Sequence, residues 1–180
     1  ERMMIGEIYL PIHKLVSYYG NDNNGAHLPF NFLLLSTEWQ SDKIGALIDQ
    51  YEGALPEGGW PNWVLGNHDQ PRITSRVGAQ QARVAAMLLL TLRGTPTIYY
   101  GEEIGMRDVA IPFHEVQDPQ GKNMPDKNLS RDPARTPMQW SSADGGGFTT
   151  GSPWLRLDKA YKRHNVATEE ENPYSMLHFY

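Results

Sequence analysis

Cysteine is missing from all 180 residues, which removes disulfides, thiolate metal sites and cysteine nucleophiles together while leaving the cellular compartment undecided. Basic charge is also short: 16 Lys+Arg stand against 21 Asp+Glu, a formal net charge of -5. Without a basic excess to neutralise phosphates, nucleic acid is not an expected partner. The longest apolar run, Val84 to Leu92, is interrupted by Thr91 and closed by Arg93. That is far short of the roughly 20 residues of a membrane span, so no membrane partner is expected. No signal-peptide pattern is visible. The six histidines show no i,i+4 pair or other ligand spacing, and neither a P-loop nor a dinucleotide fingerprint occurs, so no metal site or cofactor is expected of these residues. Hydrophobic residues make up 39% and charged residues 21%, the usage of an ordinary globular chain of one or two domains.

Four short apolar runs closed by Gly, Pro, Asn or Asp read as buried strands: 2–9, 27–35, 63–66 and 95–100. They recur at intervals of about 25 to 35 residues, the length of a βα unit, which predicts an α/β fold with a parallel sheet. Helices are expected from Thr37 to about Tyr51, with Ile44, Leu47 and Ile48 on one side, and from Gly78 to Arg93, with Ala82, Ala85, Ala86, Leu89 and Leu90 on one face. Gly94 supplies a left-handed stop for the second helix and Pro96 prevents its continuation. Both helices are expected to pack outside the sheet.

Residues 105–153 are rich in Pro, Asp, Asn and Gly. A loop of this length in an α/β protein usually forms a lid or one wall of a site, and Met138, Trp140, Phe148 and Trp154 are expected to anchor it. A charged helical stretch follows from Leu157 to Glu171, and an apolar helix begins after Pro173. Glu1 enters a strand with no cap or initiator methionine and the last helix simply stops, so both ends read as cut. The pattern leans to a small open sheet; half of an eight-stranded barrel, whose full length is about 250 residues, is the alternative.

Candidate chemistry gathers at strand ends. Glu7 ends the first strand, where a parallel barrel places acids and bases. The third strand delivers Gly66-Asn67-His68-Asp69-Gln70-Pro71-Arg72 in one turn, a polar density that is costly unless these groups find partners or a ligand. Strands one and three of one sheet would place Glu7 and Asp69 on a common rim, and paired carboxylates suit glycoside hydrolysis. The fourth strand exits through Gly101-Glu102-Glu103-Ile104-Gly105, a tight turn whose acids read as structural. Arg131 and Arg135 lie within Arg131-Asp132-Pro133-Ala134-Arg135-Thr136-Pro137 and could clamp a carboxylate bidentately, or serve a loop-stabilising ion pair.

Taken together, Ile5-Gly6-Glu7, Gly66 to Arg72, Gly94-Thr95-Pro96-Thr97-Ile98-Tyr99-Tyr100-Gly101-Glu102-Glu103-Ile104-Gly105-Met106 and Arg135-Thr136-Pro137-Met138-Gln139-Trp140 resemble the α-amylase superfamily, glycoside hydrolase family 13. Within it they resemble the α-glucosidase and oligo-1,6-glucosidase branch. The resemblance implies a (β/α)8 TIM barrel in place of the open sheet. Residues 1–180 would supply roughly strands five to eight, with a long loop after strand eight at about 102–155. The N-terminal half and the C-terminal β-domain would lie outside the chain.

The resemblance further implies a retaining mechanism acting on an α-linked glucose oligosaccharide. Glu7 takes the place of the acid/base and Asp69 that of the carboxylate that binds sugar hydroxyls and stabilises the transition state. His68 takes the place of a hydroxyl-binding neighbour, while Arg72 and Arg135 line or brace the glucose pocket. The family nucleophile would lie upstream of Glu1, so the stretch by itself is expected to be inactive. Calcium, where relatives bind it, would belong largely to the other half. The same motifs permit transglucosylating sucrose isomerases and glucosyltransferases, and the heavy chains of some amino-acid transporters resemble this barrel without being catalytic.

Overall fold

The apolar runs form four parallel strands: β1 (Ile5–Gly6), β2 (Leu28–Asn31), β3 (Asn62–Val64) and β4 (Thr95–Thr97). In the computed structural model, which describes residues 2–180, they pair in the order β1-β2-β3-β4. The register sets Ile5 against Leu28, Phe30 against Asn62, and Val64 against Thr97. The reading made of Glu1 lies outside the described residues. Consecutive parallel strands with no reversal of order are the arrangement of a (β/α)8 barrel, whereas a doubly wound sheet reverses at a switch point. The expected α/β class and the barrel topology are therefore found, over part of a barrel.

The strands are shorter than the apolar runs. β1 has a neighbour on one side only, and Met3, Met4 and Ile5 are exposed, so most of residues 2–9 has no ladder to join. β2 ends where the Asn31 side chain accepts from Leu33 N at 3.0 Å and turns the chain into α2 (Leu33–Ser36). The chain divides into two compact units, one comprising the residues up to Leu65 with Met87–Ile98, the other Gly66–Ala86 with Tyr99–Tyr180.

The first unit holds the sheet, α1 (Ile12–Leu15), α2 and α3 (Ser41–Ala54). Ile44, Leu47 and Tyr51 are the buried residues of α3, a spacing that sets them on one stripe; Ile48, expected beside them, is only partly buried. Tyr51 meets Trp63 of β3 edge to face, with ring centroids 5.2 Å apart. Its hydroxyl lies 3.2 Å from that of Tyr19, which donates to Trp60 O at 2.8 Å. Trp63 Nε1 donates to Arg93 O at 2.8 Å, so every buried ring here that carries a polar atom has a partner. Gly94 has φ +129°, and a Cβ there would stand 2.5 Å from Pro61 O; the same carbonyl accepts from Thr95 N at 2.8 Å and starts the pairing of β4.

The second unit begins with α4 (Ile73–Val77) and contains part of α5 (Ala79–Thr91), α6 (Pro119–Asn123), α7 (Val166–Glu170) and α8 (Met176–Phe179). Ile104, Met106 and Met138 form its apolar cluster, with Tyr100, Val166 and Leu177 packed against them. The long loop is held by polar bonds: Tyr99 donates to Ala134 O at 3.0 Å and Tyr100 to Thr136 O at 2.6 Å. Of its four expected apolar anchors only Met138 is buried; Trp140, Phe148 and Trp154 are exposed and line one wall of an apolar cleft with Tyr100 and Leu155. The charged helix expected over residues 157–171 is replaced by a 3-10 turn at Lys159–Lys162 and then α7. Buried Asn165 divides them, accepting from Thr168 N at 2.9 Å as a helix cap and donating to Tyr161 O at 2.7 Å.

After β4 the chain turns through Gly101 (φ +85°) into a 3-10 turn, Glu102–Ile104. A Cβ on Gly101 would stand 2.5 Å from Met106 Sδ and 2.9 Å from Arg72 Nη1. Glu102 is 2% exposed. Burial pushes its carboxyl up to about 8, against opposing help from Tyr99 N and the charges of Arg72 and Arg76.

Two expectations follow. Gly94→Ala should lower stability by about 1–3 kcal/mol through backbone strain and the Pro61 carbonyl; an unchanged denaturation midpoint would show that the turn relaxes. The folded protein holds a proton on Glu102 that the unfolded chain loses above the ordinary carboxylate range. Stability should therefore fall as pH rises from about 4.5 to about 8, by at most about 1.4 kcal/mol per unit for one proton. Urea titrations at several pH values should show this slope in the parent and a flatter one in Glu102→Gln.

Candidate active site

The polar turn after β3 is built on its own side chains. Asn67 Oδ1 accepts from Asp69 N at 3.0 Å, an Asx turn that fixes the direction in which Asp69 leaves the backbone. At the far end of the turn Arg72 N donates to Asp108 Oδ1 at 3.0 Å, and α4 starts with the next residue. Within the second unit, residues 66–72 meet the stretch containing Arg131 and Arg135.

Asp69 is the meeting point. Its Oδ1 accepts from Arg135 Nη2 at 2.8 Å and from Arg131 Nη1 at 3.1 Å, and His68 Nε2 lies 3.5 Å from the same oxygen. Arg135 Nε also donates to His68 O at 2.8 Å, so one guanidinium holds the main chain and the carboxylate of adjacent residues. The two guanidiniums hold the carboxylate in one orientation. The side chains of Asp69, Arg131 and Arg135 are 26%, 32% and 21% exposed, and that of His68 is 54% exposed. The group therefore reaches a surface on which a ligand can act.

Arg72 occupies a different position. It is 1% exposed, with its guanidinium 5.0 Å from the Tyr99 ring centroid and 4.6 Å from that of Tyr100 and Nη1 donating to Tyr100 O at 2.6 Å. Nε and Nη2 are buried with no hydrogen-bond partner among the described residues. This is the place of a brace beneath the tyrosine pair. Glu7 follows β1 directly, is exposed, and belongs to the first unit. The structure thus brings His68, Asp69 and Arg135 into one cluster and sets Arg72 behind it.

The sequence pattern raised Arg131 as a carboxylate clamp but gave no sign of its partner. That partner is Asp118, fully buried, which receives Arg131 Nη2 on Oδ1 at 2.7 Å and Arg131 Nε on Oδ2 at 3.0 Å. Hydrogen bonds from Arg131 hold the Asp118 carboxyl well below the usual carboxylate range. The only signal near Asp118 is Asp-Pro, the start of a helix, and Asp118 does cap α6 through Gln120 N at 3.3 Å. Among the described residues no group of three or more His, Asp or Glu could hold a metal, and no helix is long and apolar enough to cross a membrane.

The alpha-amylase catalytic domain family matches residues 1–180. Maltase A1 of Drosophila melanogaster is 38% identical over 188 residues, 100% of this chain and 33% of that protein. The human protein named Amino acid transporter heavy chain SLC3A1 is 38% identical over 184 residues, 99% of this chain and 25% of its own. The crystal structure of XgtA, an alpha-glucosyl transfer enzyme, superposes with a TM-score of 0.89 at 32% identity, covering 98% of this chain and 34% of that one. The chain spans about a third of the length of the curated relatives it matches. On its motifs, its sheet order and these matches, the chain belongs to the alpha-amylase catalytic domain family.

Proposed function

We propose that this chain is part of the catalytic barrel of a retaining α-glucosidase acting on short α-linked glucose oligosaccharides. The observation that carries the reading is Asp69, held by two guanidiniums on one oxygen while its side chain stays 26% exposed. On this reading Asp69 Oδ2 accepts from sugar hydroxyls, and its charge stabilises the positive charge that develops on the glucosyl ring. His68 offers a ring nitrogen to a neighbouring hydroxyl. Glu7 protonates the leaving oxygen and afterwards deprotonates the attacking water or sugar. Arg135 orients Asp69, and Arg72 supports the tyrosines behind the cluster. Maltase A1 and the alpha-glucosidase of Apis mellifera, 39% identical over 184 residues, support hydrolysis of α-glucosides; XgtA supports transfer as a variant of the same chemistry.

The residues occupy roughly strands five to eight of the barrel, so the nucleophile lies outside them and the activity belongs to the barrel as a whole. A second reading, a non-catalytic transporter subunit, draws on the similarity to the human heavy chain. The presence of Glu7, His68 and Asp69 together weighs against it.

In the full-length protein, Glu7→Gln should lower kcat on maltose by about 10²–10⁴-fold, whereas kcat/KM should fall less on p-nitrophenyl α-glucoside, whose leaving group needs little protonation. Turnover of maltose at the parental rate by Glu7→Gln would dispose of the assignment. Absence of glucose release from maltose, isomaltose and sucrose by the parent would favour the subunit reading.

A further inference from the structure

We propose that Asp118 and Asp132 are positioning residues that aim Arg131 at Asp69, an inference that rests on the reading of Asp69 as the sugar-binding carboxylate. The two acids lock the same pair of segments from opposite sides. Asp118 accepts from the main chain of Arg131 at 2.8 Å as well as from its side chain. Asp132, next to that arginine, accepts on Oδ2 from the main chain of Gln117 at 2.6 Å and of Asp118 at 3.0 Å. Each segment thus grips the backbone of the other, and both carboxylates are 0% exposed.

The third direction of the Arg131 fork is what gives this lock a chemical consequence. With Nε and Nη2 committed to Asp118, Nη1 is left to reach outward to Asp69 Oδ1 at 3.1 Å. A free arginine side chain has many rotamers to lose, and a lone surface contact to Asp69 would have to overcome that. The bidentate pair removes the freedom before any ligand arrives, which is how a supporting carboxylate preorganises a site.

Charge leads to the same conclusion. Asp69, Asp118 and Asp132 stand against Arg131 and Arg135, so the set carries one negative charge in excess. Removing the charge of Asp118 takes away that excess negative charge beside a sugar whose transition state is positive. Ground-state binding of a neutral sugar feels this little, so kcat should change more than KM.

In the full-length enzyme, Asp118→Asn keeps the shape of the side chain while losing its charge and half of the fork. We expect kcat on maltose to fall at least about tenfold with KM within about twofold. The deciding comparison is a double-mutant cycle with Arg131→Met. If Asp118 acts through Arg131, adding Asp118→Asn to Arg131→Met changes kcat by less than about twofold, whereas a purely structural role gives losses that multiply. Multiplying losses, or an unchanged kcat in Asp118→Asn, would overturn the inference. Asp69→Asn is run in parallel: if it disables the enzyme while Asp118→Asn does not, the positioning role alone is wrong, and if it retains parental turnover, the reading of Asp69 fails first. Should Asp118→Asn not fold, Arg131→Lys keeps the charge without the fork. It should show the same fall in kcat at nearly constant KM, and parental kcat in that variant would equally overturn the proposal.

Discussion

One carboxylate oxygen receives two guanidiniums, and much of the second unit is organised around that convergence. Arg135 comes to Asp69 Oδ1 while also holding the main chain of His68, and Arg131 comes to it while clamped by Asp118. Two cations sharing one oxygen would repel each other in open water. They are tolerated because Asp69 and Asp118 supply a charge for each. The loop between Gly105 and Pro153 has little regular secondary structure, and its order comes from this kind of polar closure, from the buried cap at Asp118, and from the tyrosine hydroxyls that hold Ala134 and Thr136.

Behind this polar layer lies a second, less comfortable one. Arg72 is buried with two nitrogens unpartnered, and Glu102 is buried with Oε1 unpartnered. A protonated Glu102 reduces the charge that must be buried there, at the cost of a fold whose stability depends on pH. The turn that delivers these groups is closed by Gly101, whose backbone no side chain could adopt without meeting Met106 or Arg72.

Much of the fold was legible. Apolar runs at βα spacing announced parallel strands, and the observed sheet keeps them in order; helices α3 and α5 fall within a few residues of their expected limits. Strand length was not legible, because Arg2 to Tyr9 reads as one continuous run while pairing depends on a neighbour that local sequence does not describe. The pattern by itself leaned to an open sheet, which is not what is found, and the barrel came only with the family motifs. In the loop, Trp140, Phe148 and Trp154 look like core residues by type, yet they line an open apolar cleft, and residue type alone does not separate a cleft wall from a core. The site followed a similar division. Asp69 and its neighbours stood out because a dense polar turn follows an apolar strand. Asp118 did not, since an Asp before a Pro has an adequate local explanation as a helix cap, and its bond to an arginine thirteen residues away has no spacing signature.

The contact between Arg135 and His68 has a consequence for how such a site can diversify. The arginine holds the carbonyl of residue 68, a group that every amino acid presents, while the imidazole is largely open to solvent. The main-chain path to Asp69 is therefore insulated from the identity of the side chain just before it. Position 68 can change its side chain without moving the main chain that carries Asp69, and what such a change alters is the 3.5 Å approach of the ring to the carboxylate and the chemistry turned to the surface.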